Sequence, residues 1–204
     1  CACNKIVTRQ RHKAEEYLGY LEKEIRQQAK LFAGRAVTQL QWGGGTPTYL
    51  SHEQIARLMT MLKTNFNFAE EGEFSIEIDP REITLDTLDV LKQAGFNRIS
   101  LGVQDFDKRV QEVVNREQDN DFIRAMIRHA KELGFRSTNL DLIYGLPLQM
   151  RESFRHTLEQ IAELQPDRLS VFNYAHLPSR FAGQHKIKEE LLPSPAEKLA
   201  MLQE

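Results

Sequence analysis

Glycine, carboxylate, amide and guanidinium groups recur in this 204-residue chain at one kind of place, where an apolar segment ends. Gly43, Gly44, Gly45 and Thr46 follow "LQW", and Glu77 and Asp79 close "FSIEID". Gln104 and Asp105 follow "SLGV", Asn139, Asp141 and Tyr144 punctuate "NLDLIY", and Asn173 and Tyr174 end "SVFNY". Arg116 stands in "VVNREQ", a little after the third segment. The glycines are followed by no Gly-Lys-Ser/Thr and form no G-x-G-x-x-G, so phosphate binding explains them poorly. Bare backbone carbonyls can instead hold a ligand's amino group, and a carboxylate such as Glu77 can hold a ribose. That pairing suits an amino-acid nucleoside.

Each of these residues also has a plainer reading. Three glycines after a strand can be a tight turn and nothing more. Glu77 alternates with Ser75 and Asp79, opposite Phe74, Ile76 and Ile78, as a solvated strand face would. If that face points into a barrel, an ionised carboxylate needs a cationic or hydrogen-bonding partner. Asp141 lies between Leu140 and Leu142, and it reads equally as a structural acceptor or a ligand contact. Arg116 can simply pair with a nearby carboxylate. His12, His52, His129, His156, His176 and His185 show no metal-ligand spacing, and most read as surface residues.

The positioning elements alternate. Residues 13–32 show helical periodicity, weakened by Gly19, and 37–42 read as a strand. Ser51 and Gln54 form a capping box, followed at helical spacing by Ile55, Leu58, Met59, Leu62 and Phe66. Residues 73–79 alternate as a strand; Leu85, Leu88 and Leu91 mark a helix closed by Gly95. Residues 98–104 and 137–145 are expected to be buried, parallel, neighbouring strands. Phe122, Met126, Ala130 and Leu133 mark a helix that stops at Gly134. A helix on Phe154, Leu158, Ile161 and Leu164, a strand at 168–175 and a loop at 176–193 follow. Ser194 and Pro195 then cap a last helix. Strict β-α alternation predicts parallel strands whose C-terminal ends gather the ligand. No stretch reads as a linker, so 1–204 is expected to be one domain.

Composition narrows the class. With 41% hydrophobic and 27% charged residues and a net charge of −2, the chain has no nucleic-acid footprint. Its apolar runs are too short for a membrane span, and none reads as a signal peptide. Cys1 and Cys3 are its only cysteines, a usage that suits a reducing cytoplasm. A start at Cys1 reads as a piece cut from a larger motif.

The segments "CACN", "WGGGTPTYL", "IEIDPREI", "GFNRISLGVQDF", "VNREQ", "NLDLIYGLP" and "DRLSVFNYAHLP" run in order from the first residue. Together they resemble the oxygen-independent coproporphyrinogen III oxidases, radical S-adenosylmethionine (SAM) enzymes of heme biosynthesis. The resemblance implies an α/β fold, a parallel-stranded partial (β/α)6 barrel of the radical SAM type lacking its first strand. The family motif is C-x-x-x-C-x-x-C-x-C, whose first three cysteines hold a [4Fe–4S] cluster. Cys1 matches the third ligand and Cys3 the final, non-ligating cysteine, so this stretch alone is not expected to assemble the cluster. By position, Gly44 and Glu77 match contacts to the cluster-bound SAM. Gly45, Thr46, Gln104, Arg116, Asp141 and Ala175 match contacts to a second SAM, with Arg116 and Asp141 suited to its carboxylate and amino ends. The implied reaction turns two propionates of coproporphyrinogen III into vinyl groups of protoporphyrinogen IX, through a 5′-deoxyadenosyl radical. It needs a flavodoxin- or ferredoxin-like electron donor and a final electron acceptor. The main alternative is a heme-chaperone relative, which usually carries an aromatic residue where Cys3 stands. An unrelated (β/α) enzyme that binds phosphate at the glycine turn is the more distant alternative.

Overall fold

The structure, a computed structural model, describes Thr8 and residues 10–204. Helix α1 (His12–Leu31) buries Ala14, Leu18 and Ile25, spaced four and seven residues apart, which puts them on one face. Leu18 and Ile25 pack with Leu58 and, around them, with Leu21, Trp42 and Leu62. Gly19 faces open space, so the helix runs through it at only the ordinary propensity cost.

The elements then follow in the expected alternation. They are β1 (Ala36–Trp42), α2 (His52–Asn65), β2 (Asn67–Ile78), α3 (Leu85–Ala94) and β3 (Arg98–Gln104). After them come α4 (Lys108–Val113), α5 (Asn120–Glu132), β4 (Ser137–Tyr144), α6 (Arg151–Leu164), β5 (Arg168–Asn173) and α7 (Pro195–Leu202). The strands form one sheet in the order β1-β2-β3-β4-β5, so β3 and β4 are hydrogen-bonded neighbours. The β1–β2 and β4–β5 pairs are parallel. The described residues divide into two compact units, those up to 100 with 129–137, and 101–128 with 138–204.

In the first unit the capping box of α2 is formed as the sequence requires: Gln54 N–H donates to Ser51 Oγ, and Ser51 N–H to Gln54 Oε1 at 2.9 Å. Ile55, Leu58 and Met59 are buried. Gly95 closes α3 at φ +107°, a left-handed conformation that a side chain would strain. Leu88 and Leu91 of α3 are fully buried, whereas Leu85 is exposed, because it opens the first turn beyond the packed face. Strand β2 starts at Asn67, six residues earlier than its alternation announces. Its register against β1 jumps from Val37–Phe68 to Gln39–Glu73, so residues 69–72 form an irregular stretch that no period-two pattern marks. The edge of Trp42 meets Phe96 at 4.9 Å between ring centroids.

In the second unit Leu101, Val103, Leu140 and Leu142 are buried on alternate positions of β3 and β4. The β4–β5 register sets Asp141 opposite Ser170. Strand β5 is shorter than expected, ending at Asn173, and Leu169, Val171 and Phe172 on it are exposed. No periodicity in the sequence marks short α4. The loop at 176–193 holds two 3-10 turns, Ala182–Lys186 and Glu189–Leu191. Helix α7 carries the expected cap, with Glu197 N–H donating to Ser194 Oγ and Pro195 in the first turn.

His129 is not a free surface residue: its Nε2 lies 2.8 Å from Asp89 Oδ2. That hydrogen bond raises the imidazole pKa above its ordinary value of 6.5, against a smaller opposing effect of desolvation. A raised folded value means the stabilisation is complete below about pH 6.5 and is lost as pH rises through the folded pKa. The pair is partly exposed, so the effect is a few tenths of a kcal/mol, or about 1–2 °C in melting temperature. Thermal melts across pH 6–8 should show this fall. His129→Gln should flatten it, and an unchanged slope in the variant would remove the pair from the account.

Candidate functional site

In the first unit the site starts from strand register. Trp42 pairs with Ile76, so the turn after β1 emerges beside Glu77 on β2. Phe74, Ile76 and Ile78 are buried, and period two turns Ser75 and Glu77 to the other face. There Glu77 Oε2 accepts from the Gly44 N–H at 3.1 Å, and Oε1 from Gln41 Nε2 at 3.2 Å. Gln41 is oriented in turn, since its Oε1 accepts from Ser75 Oγ at 2.8 Å.

The glycines are required by this arrangement. A Cβ on Gly43 would stand 2.6 Å from Glu77 Oε1, and Gly44 and Gly45 have φ of +75° and +58°. Thr46 is extended, half-buried, and caps a 3-10 turn that begins at Pro47. Asp79, at the end of the same face as Glu77, is engaged by Arg81, whose Nη2 lies 2.7 Å from its Oδ2.

In the second unit β3 ends at Gln104, which has the left-handed φ of +68°. Arg116 reaches back to this strand end, donating from Nη2 to Gly102 O at 2.9 Å. Asp141 is half-buried between fully buried Leu140 and Leu142, and accepts from Asn139 Nδ2 at 2.7 Å. Asn139 Nδ2 also lies 3.0 Å from Ser170 Oγ across the β4–β5 pair. Ala175 is exposed just beyond β5, and its carbonyl accepts from Gln184 Nε2 at 3.0 Å. Tyr174 Oη lies 3.2 Å from His176 Nδ1, and burial pushes the phenol's pKa up.

Gly44, Gly45, Thr46 and Glu77 thus belong to the first unit, and Gln104, Arg116, Asp141 and Ala175 to the second. Cys1 and Cys3 lie outside the described residues. Among the described residues, no group of three or more His, Cys, Asp or Glu is placed to hold a metal. Sequence reasoning did not single out Gln41 and Ser75, which support Glu77, or the buried glutamines Gln111, Gln118 and Gln149 near the end of β3. Gln41 and Ser75 could have been found by pairing the two strands in register; the three glutamines sit in loop and helix segments where no pattern marks them.

A glycine turn held against a carboxylate at the ends of two parallel neighbouring strands is a place where a ligand can approach the backbone closely. The chain belongs to the radical SAM superfamily, whose sequence pattern matches residues 1–161. Among curated relatives, the oxygen-independent coproporphyrinogen III oxidase of Escherichia coli K12 is 65% identical over 204 residues, all of this chain and 45% of that protein. The Pseudomonas aeruginosa protein of the same name is 50% identical over 206 residues, again all of this chain and 45% of the relative. A solved structure of the E. coli coproporphyrinogen III oxidase, described as a radical SAM enzyme, superposes with a TM-score of 0.96 at 65% identity. It is matched by all of this chain over 47% of its own length. The chain therefore spans just under half of these relatives, and it shares their radical SAM fold. No helix among the described residues is long and apolar enough to cross a membrane.

The superfamily's cofactors are a [4Fe–4S] cluster and SAM. The first unit fits the second of these: the space that a Cβ on Gly43 would take is kept open against a carboxylate fixed by two donors.

Removing that carboxylate should release the Gly44 amide. Glu77→Ala is expected to raise its hydrogen exchange about tenfold, the scale of one hydrogen bond to a charged acceptor. Unchanged exchange would show that the turn is held by something else.

Proposed function

We propose that the full-length protein is an oxygen-independent coproporphyrinogen III oxidase that converts coproporphyrinogen III to protoporphyrinogen IX in heme biosynthesis. The observation that carries this reading is identity of 65% along the whole 204 residues with an enzyme of that name. The heme-chaperone alternative is not favoured, since the similar curated relatives carry the oxidase name.

When bound, the cluster and SAM would supply one-electron radical chemistry to a substrate propionate. This chain's residues bind and orient. Cys1 would contribute one thiolate to the cluster. Gly44 and Glu77 contact the cluster-bound SAM, where the bare turn allows close approach and the fixed carboxylate accepts from ribose hydroxyls. Gln104, Arg116, Asp141 and Ala175, in the second unit, hold a second SAM, with Arg116 at its carboxylate and Asp141 at its ammonium group. No side chain is needed as a general acid or base, because the cofactor carries the hard chemistry. A flavodoxin- or ferredoxin-like protein delivers the electron, and a separate acceptor takes the last one.

The test uses full-length protein, anaerobic, with the cluster reconstituted, SAM, a reductant and coproporphyrinogen III. Joint appearance of 5′-deoxyadenosine and protoporphyrinogen IX is expected. 5′-Deoxyadenosine without decarboxylation would overturn the substrate assignment while leaving the superfamily chemistry intact. Glu77→Ala should lower SAM cleavage by about a hundredfold, the cost of misplacing a reacting group.

A further inference from the structure

The turn that follows β3 is held by side chains from outside it, and all of the holding groups belong to the second unit. Gln104 turns the chain at φ +68°, a conformation that a non-glycine residue keeps only when its surroundings impose it. The Asp105 N–H donates to Val103 O at 2.9 Å and closes the turn. The neighbouring carbonyls are then capped one by one. Gln118 Nε2 donates to Val103 O at 2.8 Å and to Asp105 O at 3.2 Å, and Gln111 Nε2 to Asp105 O at 2.9 Å. Asn120 Nδ2 donates to Phe106 O at 2.9 Å.

Asp105 is the centre of this arrangement. It is 1% exposed, and burial pushes its carboxyl pKa up against the hydrogen bonds that pull it down. Its Oδ1 accepts from the Asp107 N–H at 2.6 Å and from Thr157 Oγ1 at 3.0 Å, and its Oδ2 from Gln149 Nε2. Gln149 is held in one orientation, because its Oε1 accepts from the Gly145 and Leu146 N–H groups at 2.6 and 3.1 Å. Asp105 and Gln149 therefore tie the end of β3 to the end of β4. Gln111 also fixes the far side of the loop, accepting the Arg116 N–H on its backbone carbonyl at 2.8 Å.

Gln111, Gln118 and Gln149 are at most 7% exposed. Gln111 and Gln118 supply donors to the Val103 and Asp105 carbonyls that apolar side chains in their places could not. What the amides achieve is direction: Gln111 and Gln118 fix carbonyls within the segment that carries Gln104 and Arg116, and Gln149 fixes the Asp105 carboxylate of that segment.

We propose that Asp105, Gln111, Gln118 and Gln149 are positioning residues that preset Gln104 and Arg116 for the amino-acid end of the second SAM, without touching it. The inference rests on reading Gln104 and Arg116 as contacts of that molecule. It predicts a selective defect, because none of the hydrogen bonds described for Asp105, Gln111, Gln118 and Gln149 reaches Gly44 or Glu77, which are assigned to the first SAM.

The test is made on full-length protein with its cluster reconstituted, in Gln118→Leu and Asp105→Asn, with SAM itself as the probe. Gln118→Leu removes the donors at nearly constant volume, and Asp105→Asn sets an amide N–H against Gln149 Nε2. Equilibrium dialysis with labelled SAM is expected to show the second molecule bound at least about tenfold more weakly. Cluster content, binding of the first SAM and its reductive cleavage should stay within about twofold of wild type. Wild-type binding of both molecules in both variants would overturn the proposal. So would loss of both molecules together with the cluster in both variants, since that would assign these residues to folding in general. Arg116→Ala tests the underlying reading separately: if it still binds two SAM molecules with wild-type affinity, the assignment of Arg116 fails whatever the glutamine variants do.

Discussion

Phe74, Ile76 and Ile78 enter the core from one face of β2, and a period of two then turns Ser75 and Glu77 to the other face. The rest of the site in the first unit depends on this alternation. A slip of one residue would bury a carboxylate and expose three large apolar side chains, so the register has a single solution. Because β1 runs parallel to β2 with Trp42 opposite Ile76, the glycine turn meets Glu77 at its first free N–H groups. The same logic operates in the second unit, where buried Leu140 and Leu142 leave Asp141 on the opposite face, across from Ser170.

The strand ends are held by side-chain hydrogen bonds to backbone. A parallel strand that passes into a loop leaves carbonyls and N–H groups that the ladder no longer satisfies. The first unit answers with Glu77, which accepts the Gly44 N–H, and Ser75, which donates to Leu40 O, with Gln41 bracing their side chains. The second answers with Arg116, the glutamines and Asp105. These loops are consequently irregular in conformation yet fully determined. Cofactor binding benefits because groups already in place lose little entropy when a ligand arrives.

Membership of the radical SAM superfamily accounts for features that look wasteful in isolation. Consecutive glycines cost backbone entropy, and a carboxylate fixed by two donors is partly desolvated. A cofactor that carries its own reactive chemistry asks the protein for close approach and orientation, and these features supply both. The scarcity of candidate acid–base dyads at the strand ends fits that division of labour. His129 pairs with Asp89 and His52 Nε2 lies 3.1 Å from Thr87 Oγ1, so both serve helix packing.

Local chemistry along the chain was enough to determine the alternation of helices and strands, the caps at Ser51, Gly95 and Ser194, and the glycines, Glu77, Gln104, Arg116 and Asp141 as strand-end groups. These follow from periodicity and residue type, which act over a few neighbours. The early start of β2 at Asn67, the short α4 and the exposure of Leu85 were not legible, because each depends on what packs alongside. The site's supporting residues were decided only in three dimensions. Gln41 reaches Glu77 across 36 positions, and Gln149 reaches Asp105 across 44. A glutamine reads in sequence as an ordinary polar residue; only burial against particular backbone carbonyls and N–H groups turns it into a fixed support.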